Sequence, residues 1–250
     1  DGDNWCECEV CGATGRDAPS RNLRFINRVA ANTGKEYPRR YIAFYAYSSL
    51  VSPPRDMLCE PNVMPWVAHY SINQMHPIDD PNCPHQTGYR RIMEDWSAIC
   101  EQMGAREYAS RWPVPCAETR RITRDTRYYA SAGVIAVHRE YMELQYGTHL
   151  LAWVESKLLW DPTQSGQDLM DEFLDHHYGK AAAPIRRFIN HVHDWVAANL
   201  GHTRHMSCQD SGGIDASIAE AGIEAFSEAL KLADDETVKM RVEKASICAY

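Results

Sequence analysis

The sequence predicts an α/β fold in which β/α units give way to a purely helical region, and three observations carry that prediction. First, 250 residues exceed one average domain and fall short of two large ones, which fits one barrel-sized α/β unit or a half-barrel joined to a helical domain. Second, apolar periodicity alternates between helical and strand-like up to Glu140 and is only helical beyond it. Third, a composition of 44% hydrophobic, 10% aromatic and 24% charged residues supplies a sizeable core and excludes a disordered chain.

Residues 22–36 set Leu23, Ile26, Val29 and Ala30 on one helical face, with Asp17 or Ser20 as N-cap and Tyr37-Pro38 as the stop. Residues 41–47 are a short run of β-formers closed by Ser52-Pro53-Pro54, and 63–70 are a second, entered through Glu60-Pro61-Asn62. Residues 76–84 form a loop dense in turn residues and long enough to carry function. A helix at 89–103 places Ile92, Trp96, Ile99 and Met103 at helical spacing. Residues 106–111 predict a short strand, 118–130 a helix, and 133–140 a continuous apolar strand of the kind buried on both faces of a parallel sheet. Helices then follow at 148–159, 167–177, 181–200, 214–233 and 235–248, with stops at Trp160-Asp161-Pro162, Tyr178-Gly179 and Gly201. The change of pattern divides the chain into a β/α domain over 1–164 and a helical region over 165–250.

The net charge of −8, from 34 acidic against 26 basic residues, excludes a dedicated nucleic-acid binder, because neutralising phosphates needs a basic surface. The longest mainly apolar run, 133–137, is far shorter than the roughly 18–20 residues that span a bilayer, so no membrane span is expected. The chain opens on Asp1-Gly2-Asp3-Asn4 with neither an initiator Met nor a signal pattern and closes inside a charged helical pattern, which reads as a fragment whose targeting information lies upstream. Nothing in it speaks to oligomeric state. Phosphate loops, glycine-rich dinucleotide fingerprints, nucleophile elbows and H-E-x-x-H are all missing, and no cofactor is expected.

Nine cysteines are an odd and high number, and only Cys6-Glu7-Cys8-Glu9-Val10-Cys11 is a tight cluster. Its C-x-C-x-x-C spacing can bind a metal with a fourth ligand from Cys59, Cys83 or His76, can hold an oxidised pair, or can pack as plain thiols. It lacks the paired C-x-x-C knuckles of a zinc site, so oxidised or packed thiols are the expectation. His176-His177 and His191-x-His193 do not share a helix face and are not expected to bind a metal.

Several phrases occur in an order that resembles the bacterial family known as domain of unknown function 4838: Asp3-Asn4-x-Cys6-x-Cys8-x-x-Cys11, Phe25-x-Asn27-x-Val29-Ala30, and Tyr45-Ala46-Tyr47 with Pro53-Pro54. His76-Pro77 with Cys83, Gly133-Val134, Lys157-Leu158-Leu159-Trp160-Asp161-Pro162 and Tyr178-Gly179-x-Ala181-Ala182 continue the series. The likeness runs over residues 1–195, and 214–250 is similar to the family's C-terminal tail. It implies a glycosidase-type (β/α)8 barrel, represented here by its C-terminal half and followed by an all-helical region. The strand positions agree: counting one that ends at residues 1–4 there are five, so three upstream would complete a barrel. Characterised relatives are endo-β-N-acetylglucosaminidases that cleave N-glycans, and more distant barrels of similar layout include α-glucuronidases and β-hexosaminidases. The resemblance therefore implies a secreted or periplasmic carbohydrate-active enzyme with a glycan or oligosaccharide as its partner.

Working residues of such a barrel sit where strands end. On the predicted strands these are Asp1, Asp3 and Asn4; Tyr47 and Ser48; His69 and Tyr70; Tyr108 to Trp112; and His138 to Glu140. Glycoside hydrolysis needs a carboxylic acid to protonate the leaving oxygen, plus a base, a nucleophile, or a group that steadies a substrate acetamide. Asp3 and Glu140 are the catalytic candidates, and Asn4, Tyr47, His69, Tyr70, His76, Tyr108, Trp112 and His138 the substrate-binding ones. Trp66, Tyr70, Tyr108 and Trp112 offer an aromatic floor for sugar rings, while His69 and His76 flank a loop that also holds Asp79 and Asp80. Each has a plainer alternative: Asp-Gly-Asp-Asn is ordinary turn chemistry, His138-Arg139-Glu140 an ordinary solvated strand exit, and tryptophan an ordinary core residue. Relatives carry an Asp-Tyr pair near the end of the strand predicted at 106–111, where this chain has Arg106-Glu107-Tyr108. The expected function is hydrolysis of glycosidic bonds in N-acetylglucosamine-containing glycans, with a non-catalytic glycan-binding or structural barrel domain as the alternative.

Overall fold

The computed structural model describes residues 5–13, 17–70, 76–108, 118–140, 148–199 and 216–249. They form a mixed α/β fold with one four-stranded parallel sheet and many helices. The strands are β1 (Ile42–Ala46), β2 (Val63–Ala68), β3 (Met103–Tyr108) and β4 (Val134–Glu140), paired in the order β1-β2-β3-β4. Tyr45 pairs with Trp66, Ala68 with Arg106, Arg106 with His138 and Tyr108 with Glu140. A register irregularity at Met103/Gly104 separates the first β3–β4 pair, Met103 with Val134, from the next, Gly104 with Ala136.

Helix α1 (Glu9–Gly12) is a single turn. Helix α2 (Ala18–Glu36) starts where Asp17 accepts a hydrogen bond from the Ser20 backbone N–H (2.8 Å), and it ends at Tyr37, ahead of Pro38. It buries Leu23 and Ala30 in a cluster with Val63, against which Ile42 and Phe44 pack. Helix α3 (Pro84–Ser97) lays Trp96 edge-on to Phe44 and anchors it by an indole N–H donated to Val51 O (2.8 Å), while the Tyr89 hydroxyl donates to Val67 O (3.2 Å). Helix α4 (Glu118–Ser131) brings the Tyr129 hydroxyl to Glu107. Phe44, Val63 and Glu107 alternate with Tyr45, Trp66 and Arg106, so α2, α3 and α4 all reach the same face of the sheet.

Helix α3 and strand β3 are shifted along the chain from the pattern-based expectation. The helix expected at 89–103 runs instead from Pro84 to Ser97, because Cys100 is tied to Cys59 by a disulfide and the Ile99 carbonyl accepts the Cys59 N–H (2.8 Å). That frees Met103 to open β3, three residues ahead of the strand expected at 106–111. Strand β4, expected to be buried on both faces, leaves Ile135 exposed, and among the described residues it pairs with β3 alone.

The remaining helices are α5 (Thr148–Trp160), α6 (Gly166–Tyr178), α7 (Ala182–Asn199), α8 (Ala216–Leu232) and α9 (Glu236–Ser246). Their apolar stripes converge in one cluster that includes Val154, Leu158, Leu174, Phe188, Phe226 and Val242. Ser165 caps α6 and Asp235 caps α9 by accepting the N–H groups of Asp168 and Val238. None of the described helices is long and apolar enough to cross a membrane.

The chain divides into two compact units. One comprises Asp1–Tyr70, Thr87–Tyr108 and Tyr128–Glu140 and contains the sheet; the other comprises Ser71–Gln86, Ala109–Arg127 and Tyr141–Tyr250 and contains the helical core.

Candidate functional site

Side chains alternate along a strand, so the face turned away from α2–α4 receives Tyr45 from β1, Trp66 from β2, Arg106 and Tyr108 from β3, and His138 and Glu140 from β4. Arg106 is its centre. One guanidinium nitrogen donates to Glu140 Oε2 at 2.5 Å, and the other lies 2.9 Å from each ring nitrogen of His138. The same guanidinium stands over the rings of Tyr45 (5.4 Å) and Tyr108 (5.3 Å). Trp66 meets His138 edge-on at 5.9 Å. At the carboxyl end of the sheet, Tyr70 sits between Tyr47 (5.1 Å) and Tyr108 (5.4 Å).

Gly104 makes room for this arrangement. A Cβ there would stand 2.9 Å from the Trp66 ring, so the indole crosses β3 only because position 104 has no side chain. The face is open at its aromatic rim and enclosed at its cation: Tyr45 is 52% and Tyr70 47% exposed, whereas the Arg106 side chain is 13% exposed and that of Glu140 44%. Burial pushes the Tyr108 phenol above its ordinary value, a shift that the neighbouring Arg106 opposes and the Glu140 charge reinforces. Tyr108 is therefore a hydroxyl donor at neutral pH. Together these groups present flat aromatic rings, a phenol donor and a carboxylate whose orientation is held by a bound guanidinium.

Of the residues expected to work together, Tyr47, Tyr70, Tyr108, His138 and Glu140 are gathered here. His69 is not. It is fully buried on the helix-facing side, with Nδ1 3.1 Å from Glu107 Oε1 and its ring 4.5 Å from that of Tyr89, because one step along the chain from Tyr70 reverses the side chain's direction. Glu107 also accepts from the Tyr129 hydroxyl and from Arg139, which makes it the centre of a buried polar group behind the sheet. His76 belongs to the other compact unit and closes a turn there: its Nδ1 lies 3.0 Å from Asp80 Oδ2, and its carbonyl accepts from Gln86 (2.5 Å). Asp79, in the same loop, pairs with Arg124 at 2.8 Å. Asp3, Asn4 and Trp112 lie outside the described residues.

Sequence reasoning missed Arg106, Tyr45 and Gly104 as parts of this face. A period of two counted back from Tyr108 and Tyr47 points to Arg106 and Tyr45, but only the pairing register shows that the strands line up at that level.

The N-terminal cysteines also come together: the sulfurs of Cys6, Cys8 and Cys11 all lie within 4.8 Å of one another. The backbone N–H of Cys11 and the thiols of Cys6 and Cys11 draw the Cys8 thiol down to about 7, and sharing with Cys6 and Cys8 raises Cys11 to about 11. Cys59, a candidate fourth ligand on spacing, is bonded to Cys100 instead.

Compared with known proteins, residues 1–190 match the model of a family described as Domain of unknown function (DUF4838). No curated protein and no solved structure matches the chain.

Proposed function

Because the chain belongs to the DUF4838 family, we propose that it contributes part of a glycoside hydrolase acting on N-acetylglucosamine-containing glycans, with Glu140 as a catalytic carboxylate. The observation that carries this reading is the Arg106–Glu140 pair set among exposed tyrosines at the carboxyl end of a parallel sheet. That edge is where α/β enzymes place their chemistry. Tyr47 and Tyr70 offer ring faces to the apolar side of a sugar, and the Tyr108 phenol donates to a hydroxyl or an acetamide. Glu140, which accepts from Arg106, takes the anionic role: it steadies positive charge at the reacting carbon or holds the substrate acetamide. The proton for the leaving oxygen is assigned to Asp3, two residues before Trp5.

The sheet is proposed as the C-terminal half of a (β/α)8 barrel, with the helical region following it. Its strands run in sequential order with α2, α3 and α4 on one face, whereas a doubly wound sheet reverses its strand order and carries helices on both faces. A secreted or periplasmic location is proposed with it. The Cys59–Cys100 disulfide supports that location, since such bonds persist in oxidising compartments.

The test is release of oligosaccharide from an N-glycan by the full-length protein and by its Glu140→Gln and Asp3→Asn variants. Each variant should lose roughly 10²–10⁴-fold in kcat while glycan binding survives. Undiminished turnover in Glu140→Gln would overturn the assignment of that carboxylate. Engagement of Glu140 by Arg106 favours one other reading, a glycan-binding face without catalysis. Its signature is wild-type protein that binds glycan, loses binding on Tyr70→Ala and releases no product.

A further inference from the structure

The three cysteines near the N-terminus form a prepared ligand set, and local geometry explains why. Cys8 stands two residues after Cys6 with extended backbone, and the sulfurs of the two lie within 4.8 Å of each other. Cys8 then caps the turn α1, whose N–H groups at Gly12 and Ala13 bond back to Cys8 O (2.9 Å) and Glu9 O (3.0 Å), and Cys11 follows Cys8 at a spacing of three on the same face of that turn. The segment is pinned from outside by Arg21 of α2, which donates to Cys6 O at 2.5 Å and lies over the Trp5 ring at 5.7 Å. The three sulfurs lie within 4.8 Å of one another, whereas thiolates on one zinc ion at bonds of about 2.3 Å stand about 3.8 Å apart. Closing the set needs shifts of about 1 Å.

We propose that Cys6, Cys8 and Cys11 bind a zinc ion as three thiolates, with a water in the fourth position. Soft sulfur donors select zinc over magnesium or calcium, and an all-sulfur triad on exposed chain leaves one coordination site to solvent. Binding releases three thiol protons and leaves a complex of net charge −1, for which the Arg21 guanidinium, held on the Cys6 carbonyl, offers a compensating charge. The ion would tie the N-terminal segment to itself and, through Arg21, to α2. This inference stands apart from the glycosidase reading: either can fail alone.

The experiment uses the full-length protein, reduced and stripped of metal, titrated with zinc against a chromophoric chelator and separately with cobalt. One equivalent per chain is expected, together with thiolate-to-cobalt charge-transfer absorption and zinc protection of Cys6, Cys8 and Cys11 from alkylation, mapped by peptide mass spectrometry. Cys6→Ser, Cys8→Ser and Cys11→Ser should each weaken zinc binding roughly a hundredfold, while Cys83→Ala, which removes a thiol outside the cluster, should not. The cluster sits on the surface, so circular dichroism should show all three Ser variants folded. No stoichiometric zinc uptake, uptake undiminished in the Ser variants, or a disulfide within the cluster in protein purified without reductant would each overturn the proposal.

Discussion

Glu107 and Glu140 are close in space and opposite in circumstance, and single substitutions should separate them. Glu107 is fully buried and accepts from Tyr129 and Arg139, so Glu107→Ala removes the acceptor from a buried cation and should cost about 3–5 kcal/mol in urea unfolding. Glu140 is nearly half exposed, and Glu140→Gln should change stability by less than about 1 kcal/mol while lowering the proposed glycan turnover. Gly104 is the third decisive residue. Gly104→Ala places a methyl group 2.9 Å from Trp66, and the displaced indole should lower stability by about 1–3 kcal/mol and change tryptophan fluorescence. The identity of each residue was plain in the sequence; the side of the sheet it faces was not. His69 illustrates the difference: polarity and position at a strand end recommended it for the site, and a one-residue step in parity buried it behind the sheet.

Among the elements, helices were legible where a local cap starts them. Asp17, Ser165 and Asp235 each accept the N–H three residues on, and α2, α6 and α9 begin within a few residues of where the pattern put them. Helix α3 was displaced because its end is set by Cys59, 41 residues upstream of Cys100, and no local window contains that bond. Contacts between helices carry their own consequences. A Cβ on Gly166, the first residue of α6, would overlap Thr123 Oγ1 of α4, so Gly166→Ala should cost about 1–3 kcal/mol, and Thr123→Ala in the same chain should recover part of the loss. Between α4 and α7, His193 places Nε2 2.9 Å from the Thr119 hydroxyl, and burial, aided by the Arg120 charge, pulls its pKa down to about 4. The unfolded chain, with a histidine near 6.5, then binds the extra proton first, so this group's contribution is complete above about pH 6.5 and is lost as pH falls toward 4. The loss is about 3 kcal/mol at most. Thermal melts from pH 7 to pH 4 should fall less steeply for His193→Gln than for the wild type.

For the molecule as a whole, the disulfide is the long-range constraint that the described residues show. Linking Cys59 to Cys100 across 41 residues restricts the unfolded chain by about 4 kcal/mol in the loop-entropy account. Melting temperature should therefore drop on adding reductant, drop similarly in Cys59→Ser/Cys100→Ser, and show no further drop when reductant is added to that variant. Composition, alternation and caps were enough to determine an α/β chain whose strands come first and whose later part is helical, because those signals act over a few residues and 44% hydrophobic residues can satisfy them in a packed core. It was the family resemblance, through the barrel it implies, that directed attention to the strand ends. Tertiary structure alone decided that the strands pair in sequential parallel order, that Arg106 stands under Glu140 and His138, that Glu107 and His69 turn the other way, and that Cys59 joins Cys100. Register and disulfide pairing are fixed by contacts between residues 21 to 41 apart in the chain, and no local pattern encodes which distant partner will be met.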